Sequence, residues 1–165
     1  MVVSSIIHES IVDGEGLRTV LFFAGCPHQC FGCHNPSTWS INNGVSYTVE
    51  DLMEEIEKYP HDDVTLSGGE PFFQAEAILP LAKRIKGAGK NLWIYTGYTW
   101  SELLQRGSTY ELELLLLADV IVDGPFILKE MDVTLPFRGS KNQHIIRINS
   151  LEREEVEERL NAVVG

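Results

Sequence analysis

The sequence predicts an α/β fold in which a mainly parallel sheet curves into a compact, open partial β/α barrel. Apolar, strand-like runs alternate with helix-like stretches, and several of these runs are followed closely by glycine. Such alternation is typical of βαβ units with parallel strands. The chain has 165 residues, whereas a closed eightfold barrel typically needs about 250, so we expect a partial barrel. We expect residues 1–165 to form one domain.

The expected strands are short apolar runs bounded by turn residues. The first of them, residues 18–24, is continuously apolar from Val20 onward, which is typical of a strand buried on both faces. The later runs are shorter and end near glycine or polar residues. The expected strands cover residues 18–24, 63–67, 91–95, 119–122 and 144–148.

The expected helices carry capping signals and apolar stripes. Thr48 is a suitable N-cap, and Thr99-x-x-Glu102 has the pattern of a capping box. Pro80 lies inside the second helix, so we expect a kink or a late start there. The expected helices cover residues 48–59, 75–86, 99–107, 110–117 and 150–163, the last of them rich in glutamate.

Composition and charge exclude several classes of function. The chain has 24 acidic and 13 basic side chains and a formal charge of −11, which repels polyphosphates, so we expect no nucleic-acid binding. Its apolar runs are too short to span a membrane, and its N-terminus lacks a secretory pattern. The cysteine count is three, which argues against a disulfide scaffold. We therefore expect a cytoplasmic protein without a membrane partner.

Glycine-rich and polar segments follow the first four expected strands. These segments are Gly25-Cys26, Ser67-Gly68-Gly69-Glu70, Thr96-Gly97 and Asp123-Gly124. Ligands of parallel α/β sheets collect at the carboxyl ends of the strands. The four segments therefore predict one common binding site.

The cysteines Cys26, Cys30 and Cys33 have the spacing C-x3-C-x2-C on one loop. Iron–sulfur clusters usually have four cysteine ligands, so three would leave one iron of a [4Fe-4S] cube open to another ligand. Structural zinc with His28 or His34 as the fourth ligand is the competing interpretation, but zinc sites usually combine two separated ligand pairs. Because the three cysteines form one group without a second ligand pair, an iron–sulfur cluster is favoured over zinc. We expect both histidines to lie outside the ligand set.

Together with Gly68-Gly69-Glu70-Pro71, the cysteine spacing resembles the signature of the radical S-adenosylmethionine (SAM) superfamily. A closer resemblance is to one family of glycyl-radical enzyme activases, the activating proteins of anaerobic ribonucleoside-triphosphate reductase. The similar blocks follow the family's order and cover residues 12–18, 26–39, 93–98, 122–126 and 138–143.

The resemblance implies a [4Fe-4S] cluster held by Cys26, Cys30 and Cys33, whose open iron binds the amino and carboxylate groups of SAM. One electron from a flavodoxin-like donor would then cleave SAM into methionine and a 5′-deoxyadenosyl radical. This radical would abstract a hydrogen atom from a glycine in the large catalytic subunit of the reductase. An open barrel of radical SAM type would admit the glycine-bearing loop of that subunit.

The same resemblance implies further cofactor-binding residues. Gly68 and Gly69 would let the backbone approach the methionine end of SAM, while Glu70 would either accept hydrogen bonds from its ammonium group or hold the loop. Residues of the cysteine loop would contact the adenine of SAM. Residues at the strand ends would contact a hydroxyl of its ribose. These residues are Gly32, Cys33, His34, Thr96 and Asp123. The block 138–143 would lie in the pocket or at the reductase interface.

Alternative functions remain open from the sequence. An activase of another glycyl-radical enzyme, such as pyruvate formate-lyase, would use the same chemistry, and an enzyme similar to carboxy-deazaguanine synthase would act on a pterin. Cys33-His34-Asn35 and the block 138–143 favour the ribonucleotide reductase activase over the pterin enzyme. A small non-enzymatic iron–sulfur or zinc protein would need a fourth ligand, for which the sequence offers His34 but no further cysteine.

Overall fold

The computed structural model describes residues 1–28, 30, 33, 36 and 39–164. In this part of the chain, seven strands form one sheet. The strands are β1 (Val2–Ser10), β2 (Arg18–Phe23), β3 (Val45–Ser46), β4 (Asp63–Gly68), β5 (Leu92–Tyr95), β6 (Val120–Asp123) and β7 (His144–Arg147). Their order across the sheet is β3-β1-β2-β4-β5-β6-β7.

The centre of the sheet is parallel and its margins are antiparallel. Strands β2, β4, β5 and β6 run parallel to one another, whereas β1, β3 and β7 pair in antiparallel fashion. The mixed α/β architecture and the parallel centre confirm the expected fold class at this level. Strands β1 and β3 were not expected, and β7 runs antiparallel to its neighbour.

The helices are α1 (Val49–Glu57), α2 (Ala75–Gly87), α3 (Trp100–Arg106), α4 (Thr109–Leu117) and α5 (Ser150–Val164). Capping boxes open α1, α3 and α4, because each N-cap side chain accepts a hydrogen bond from the third helical residue. Helix α2 begins at Ala75 and includes Pro80, so the late start does not occur. None of the helices in the described part of the chain has the length and hydropathy that a membrane span requires.

The two faces of the central sheet have different surroundings. One row across it, Leu21-Leu66-Ile94-Ile121, belongs to the main apolar core, together with buried residues of α1, α2 and α4. We call this side the helix face. The next row, Val20-Thr65-Trp93-Val120, points to the opposite side, which we call the cavity face. Loops cover the cavity face.

Arg18 fixes one of these loops on the cavity face. Its buried guanidinium donates hydrogen bonds to Thr65 Oγ1 at 2.8 Å, to the carbonyl of Val64 at 2.9 Å and to the carbonyl of Glu15 at 2.7 Å. Burial lowers the pKa of Arg18. The Thr65 hydroxyl donates in turn to the carbonyl of Asp13 at 2.6 Å. The β1–β2 connection is therefore tied to the sheet at its middle.

Candidate active site

A cavity of about 670 Å³ opens at the carboxyl ends of the parallel strands, on the cavity face. The cysteine loop, the ends of β4 and β5, the β1–β2 connection and the segment 124–143 line it. It brings together five of the residues expected from the sequence, namely Cys26, Cys30, Cys33, Gly68 and Thr96. Two others, Gly32 and His34, lie outside the described residues.

The three cysteines face the same cavity and none of them forms a disulfide. The Cys33 N–H donates to the Cys30 carbonyl at 3.0 Å, and the Cys26 N–H donates to the Trp39 carbonyl at 3.0 Å. Burial raises the pKa of the Cys30 thiol. Among the described residues, no three histidine, cysteine or acidic side chains converge on a point for one metal ion. A [4Fe-4S] cube does not require this convergence, because each thiolate binds its own iron, so the cysteines fit a cluster.

Glu70 is fully buried beside this cavity, and protein groups contact both of its carboxylate oxygens. The Thr96 hydroxyl lies 2.9 Å from each oxygen, and the N–H groups of Gly97 and Phe72 donate to Oε1 at 2.8 Å and to Oε2 at 3.1 Å. The Nε2 atom of His28 lies 2.6 Å from Oε1. Glu70 thus joins the cysteine loop to the ends of β4 and β5 through hydrogen bonds to a charged acceptor.

The His28 ring occupies space that a side chain at residue 97 would need. A Cβ atom built on Gly97 would lie 2.4 Å from His28 Cδ2 and 2.7 Å from its Nε2. The ring also makes a T-shaped contact with Tyr98, with 4.4 Å between the ring centroids. Glycine at position 97 therefore lets the start of the cysteine loop pack directly against the end of β5.

Gly68 is required by the neighbouring strand. Its φ is +111°, and a Cβ atom would lie 2.3 Å from the backbone N and 2.5 Å from the carbonyl O of Phe23. The Gly69 N–H donates to the same Phe23 carbonyl at 2.9 Å. A side chain at residue 68 would prevent this approach, so Gly68 brings bare backbone to the cavity wall, whereas Gly69 is not among the residues that line the cavity.

Asp123 is buried at the end of β6 and is used within the fold. Its Oδ2 accepts the N–H of Trp100 at 2.9 Å, at the start of α3, and its Oδ1 accepts the N–H of His144 at 2.9 Å, at the start of β7. The adjacent Gly124 lines the cavity. The Asp123 carboxylate thus fixes the starts of α3 and β7 at the edge of the sheet where the cavity opens.

The segment 124–143 lies over the cavity as a hydrogen-bonded loop. Arg138 lines the cavity and donates to the Gln143 carbonyl at 2.6 Å. The Gln143 side chain makes three hydrogen bonds to backbone atoms of the loop and of the end of β6. From the sheet, the Tyr95 hydroxyl donates to the Phe137 carbonyl at 2.6 Å. Of the block 138–143, Arg138, Gly139 and Gln143 therefore contribute to the pocket wall.

The sequence did not predict the exposed apolar residues at the mouth of the cavity. Ile11, Val12 and Val133 all line the cavity and all expose most of their side chains. The available signal was apolar residues within otherwise polar loop segments. The link between His28 and Glu70 had no sequence signal, since 42 residues separate them.

The family comparison identifies the kind of cofactor. Residues 12–146 match a family profile described as a 4Fe-4S single cluster domain. The match, the cysteine-lined cavity and the α/β fold define a protein that carries a single [4Fe-4S] cluster.

Curated relatives narrow this class. The anaerobic ribonucleoside-triphosphate reductase-activating protein of Vibrio cholerae serotype O1 is 41% identical over 148 residues, covering 83% of this chain and 92% of the relative. The proteins of the same name from Escherichia coli K12 and Enterobacteria phage T4 are each 37% identical, covering 81% of this chain and 90% and 86% of the relatives. The chain belongs to the family of anaerobic ribonucleoside-triphosphate reductase-activating proteins.

The fold also resembles a solved structure. The crystal structure of QueE from Escherichia coli matches with a TM-score of 0.51 and 20% sequence identity, covering 59% of this chain and 52% of that chain. At this identity the match concerns the fold alone.

Proposed function

We propose that the protein is a radical SAM activase that generates a glycyl radical on an anaerobic ribonucleoside-triphosphate reductase. The observation that carries this proposal is the single cavity in which three cysteines of the C-x3-C-x2-C loop face the ends of β4 and β5. When bound, the reduced cluster and SAM supply a carbon radical that removes one hydrogen atom from a glycine of the large catalytic subunit. The substrate of this enzyme is therefore another protein.

Cys26, Cys30 and Cys33 would hold the cluster through one thiolate each. The loop that carries them is fastened near its start, where His28 meets Glu70. This contact would hold the thiolates against the strand ends.

The cofactor-binding residues form the second part of the proposal. Gly68 and Gly69 would present backbone to the methionine end of SAM. Gly32, Cys33 and His34 would contact its adenine, as the cysteine loop would pass close to it. Polar groups at the strand ends would support the site without contacting SAM. Glu70, Thr96 and Asp123 are already hydrogen-bonded within the protein, so we propose that they position the strand ends for SAM.

The remaining parts of the proposal concern the surroundings of the reaction. We propose an electron donor of flavodoxin type, a cytoplasmic location and a single domain over residues 1–165. We also propose that the sheet curves into an open partial barrel. The linear strand order, in which β3 and β7 are the two end strands, supports an open rather than a closed form.

Anaerobic spectroscopy tests this function. The protein is reconstituted with iron and sulfide and reduced, and its electron paramagnetic resonance spectrum is recorded with and without SAM. We expect a cluster signal that changes on adding SAM, formation of 5′-deoxyadenosine, and a glycyl radical when the reductase is added. The Cys30→Ala variant should lose all three signals.

The outcomes separate the alternatives. A cluster that is indifferent to SAM would contradict the radical SAM mechanism. SAM cleavage that leaves the ribonucleotide reductase without a radical, but places one on another glycyl-radical enzyme, would contradict the choice of partner.

A further inference from the structure

We propose that the protein which donates the electron binds outside the cavity, on an uncharged surface beside the start of the cysteine loop. Three chain segments, residues 1–7, 39–47 and 71–75, form this surface, which we call the neutral face. The inference rests on the proposed function, because it concerns the one electron that the cluster must receive before SAM is cleaved.

The three segments of the neutral face are joined to one another. Val2 pairs with Ser46 in the antiparallel ladder between β1 and β3. The Gln74 side chain accepts the Val2 N–H at 2.8 Å and donates to the carbonyls of Val2 at 2.9 Å and Ala24 at 3.0 Å. The neutral face is therefore a single surface that is held together before any partner binds.

Charge distinguishes the neutral face from the rest of the protein. The chain has a net charge of −11 and 22% charged residues, yet none of the three segments contains a charged side chain. Acidic side chains resume only at the first turns of α1 and α2, with Glu50 and Glu76. Like charges brought together across an interface are unfavourable. A partner with acidic groups is therefore repelled over much of this protein but not at the neutral face.

The neutral face also exposes apolar side chains. Phe73 is 55% exposed, Val45 62% and Ile41 41%. Clustered apolar side chains on a surface mark interaction sites. None of these three residues lines the cavity. A partner bound here would leave the cavity free for SAM and for the protein substrate.

Phe73 connects the neutral face to the cysteine loop. A Cβ atom built on Gly25 would lie 2.8 Å from Phe73 Cδ1 and 3.6 Å from Ile41 Cβ, so the exposed ring packs directly on Gly25. Gly25 is bonded to Cys26, which we propose as a cluster ligand. The ring thus extends from solvent to the residue beside that ligand without crossing the cavity.

The chemistry of the electron transfer indicates the occupant. The donor loses one electron and the cluster gains it, and no bond forms or breaks, so the donor needs only a close approach to the cluster. The partner that fits is a small redox protein with an apolar edge on its redox group, as the dimethylbenzene edge of a flavin is. That edge would pack on Phe73 and Ile41, and acidic groups around it would lie over uncharged residues.

Aspartate substitutions on the neutral face test the inference. The variants are Phe73→Asp and Val45→Asp, and the matched control is Leu151→Asp, which adds the same charge at a 70% exposed position on α5. Anaerobic calorimetry measures the binding of oxidised flavodoxin to the reconstituted protein. Absorbance follows the rate at which reduced flavodoxin reduces the cluster, and dithionite, which needs no docking surface, is the parallel reductant.

We expect each neutral-face variant to bind flavodoxin about tenfold more weakly or worse and to be reduced by it correspondingly more slowly. Iron content and the rate of reduction by dithionite should be unchanged. Phe73→Tyr, which keeps the ring, and Leu151→Asp should match the wild type. Because Phe73 packs on Gly25, Val45→Asp gives a second reading at a residue on β3 rather than beside the cysteine loop.

The outcomes separate the inference from the function on which it rests. If both variants bind flavodoxin and accept its electron as the wild type does, the docking inference is wrong and the function stands. The inference is also wrong if only Phe73→Asp is impaired and dithionite reduces it slowly too, or if the wild type does not bind flavodoxin. If the wild type reduced by dithionite does not cleave SAM, the proposed function is wrong and the inference falls with it.

Discussion

The two faces of the central sheet use the same strands for different purposes. Leu66 and Ser67 are adjacent in β4, yet Leu66 is buried in the apolar core while Ser67 lines the cavity. The helix face is stabilised by apolar burial, which is non-directional and worth about 1.5–3 kcal/mol for a fully buried aliphatic side chain. The cavity face is organised by directional hydrogen bonds of buried groups, such as those that Arg18 donates and those that Glu70 accepts. Most of the apolar core thus lies on the helix face, while a smaller apolar cluster of Trp93, Val120 and Val122 lies on the cavity face with the site.

The largest effect is expected where β4 ends against β2. Gly68→Ala would combine a φ of +111° with a Cβ atom 2.3 Å from a backbone nitrogen, so we expect it to lower the free energy of unfolding by about 4 kcal/mol or more. Urea unfolding followed by circular dichroism measures this loss. Gly87→Ala is the control, because a Cβ atom there meets nothing within 4 Å, and it should be neutral or stabilising by about 0.5 kcal/mol. Equal effects of the two substitutions would contradict the close approach of Gly68 to β2.

An intermediate effect should separate the two faces directly. Leu66→Ala would leave a cavity in the core, so we expect it to lower the free energy of unfolding by about 3 kcal/mol. Ser67→Ala, one residue further and on the opposite face, should cost less than about 1 kcal/mol. The same unfolding measurement compares them. A larger cost at Ser67 than at Leu66 would mean that the cavity face also carries the stability of the sheet.

A smaller effect is expected at the buried carboxylate. Glu70→Gln keeps the size of the side chain but replaces one acceptor oxygen with an amide group that faces protein donors. We expect a loss of about 1–3 kcal/mol in the free energy of unfolding and weaker retention of the cluster, measured as iron per protein after gel filtration. Glu76→Gln, on the exposed first turn of α2, should change stability by less than about 0.5 kcal/mol and leave iron content unaltered. An unchanged Glu70→Gln variant would show that the link from Glu70 to the cysteine loop has no energetic role.

The central strands were predictable because the cores of parallel sheets require continuous apolar runs, as residues 18–24 show. Strand β1 was not predictable by the same rule. Its pairing with β2 is irregular between Val3 and Ser5 and again between Ile7 and Ser10. Bulges of this kind break the alternation of apolar and polar residues by which a strand is identified in a sequence.

The parts of the site that depend on residues close together in the sequence were predictable. The cysteine spacing placed three thiols on one loop, and the strand-end rule brought Gly68 and Thr96 to the same cavity. The partners of Glu70 and Asp123 were not predictable, because each joins segments that only the folded chain brings together. A carboxylate after a strand looks the same in a sequence whether it faces a ligand or the protein interior.

The close packing of His28 against Gly97 has a consequence for the evolution of the family. Because the imidazole ring fills the volume of a Cβ atom at position 97, the two residues form a compatible pair. A lineage that acquires a side chain at 97 must shift this ring, which also contacts Glu70 Oε1, or accept a smaller or differently placed residue at 28. Related sequences should therefore show correlated substitution at these two positions, and an exchange at 97 alone should be selected against.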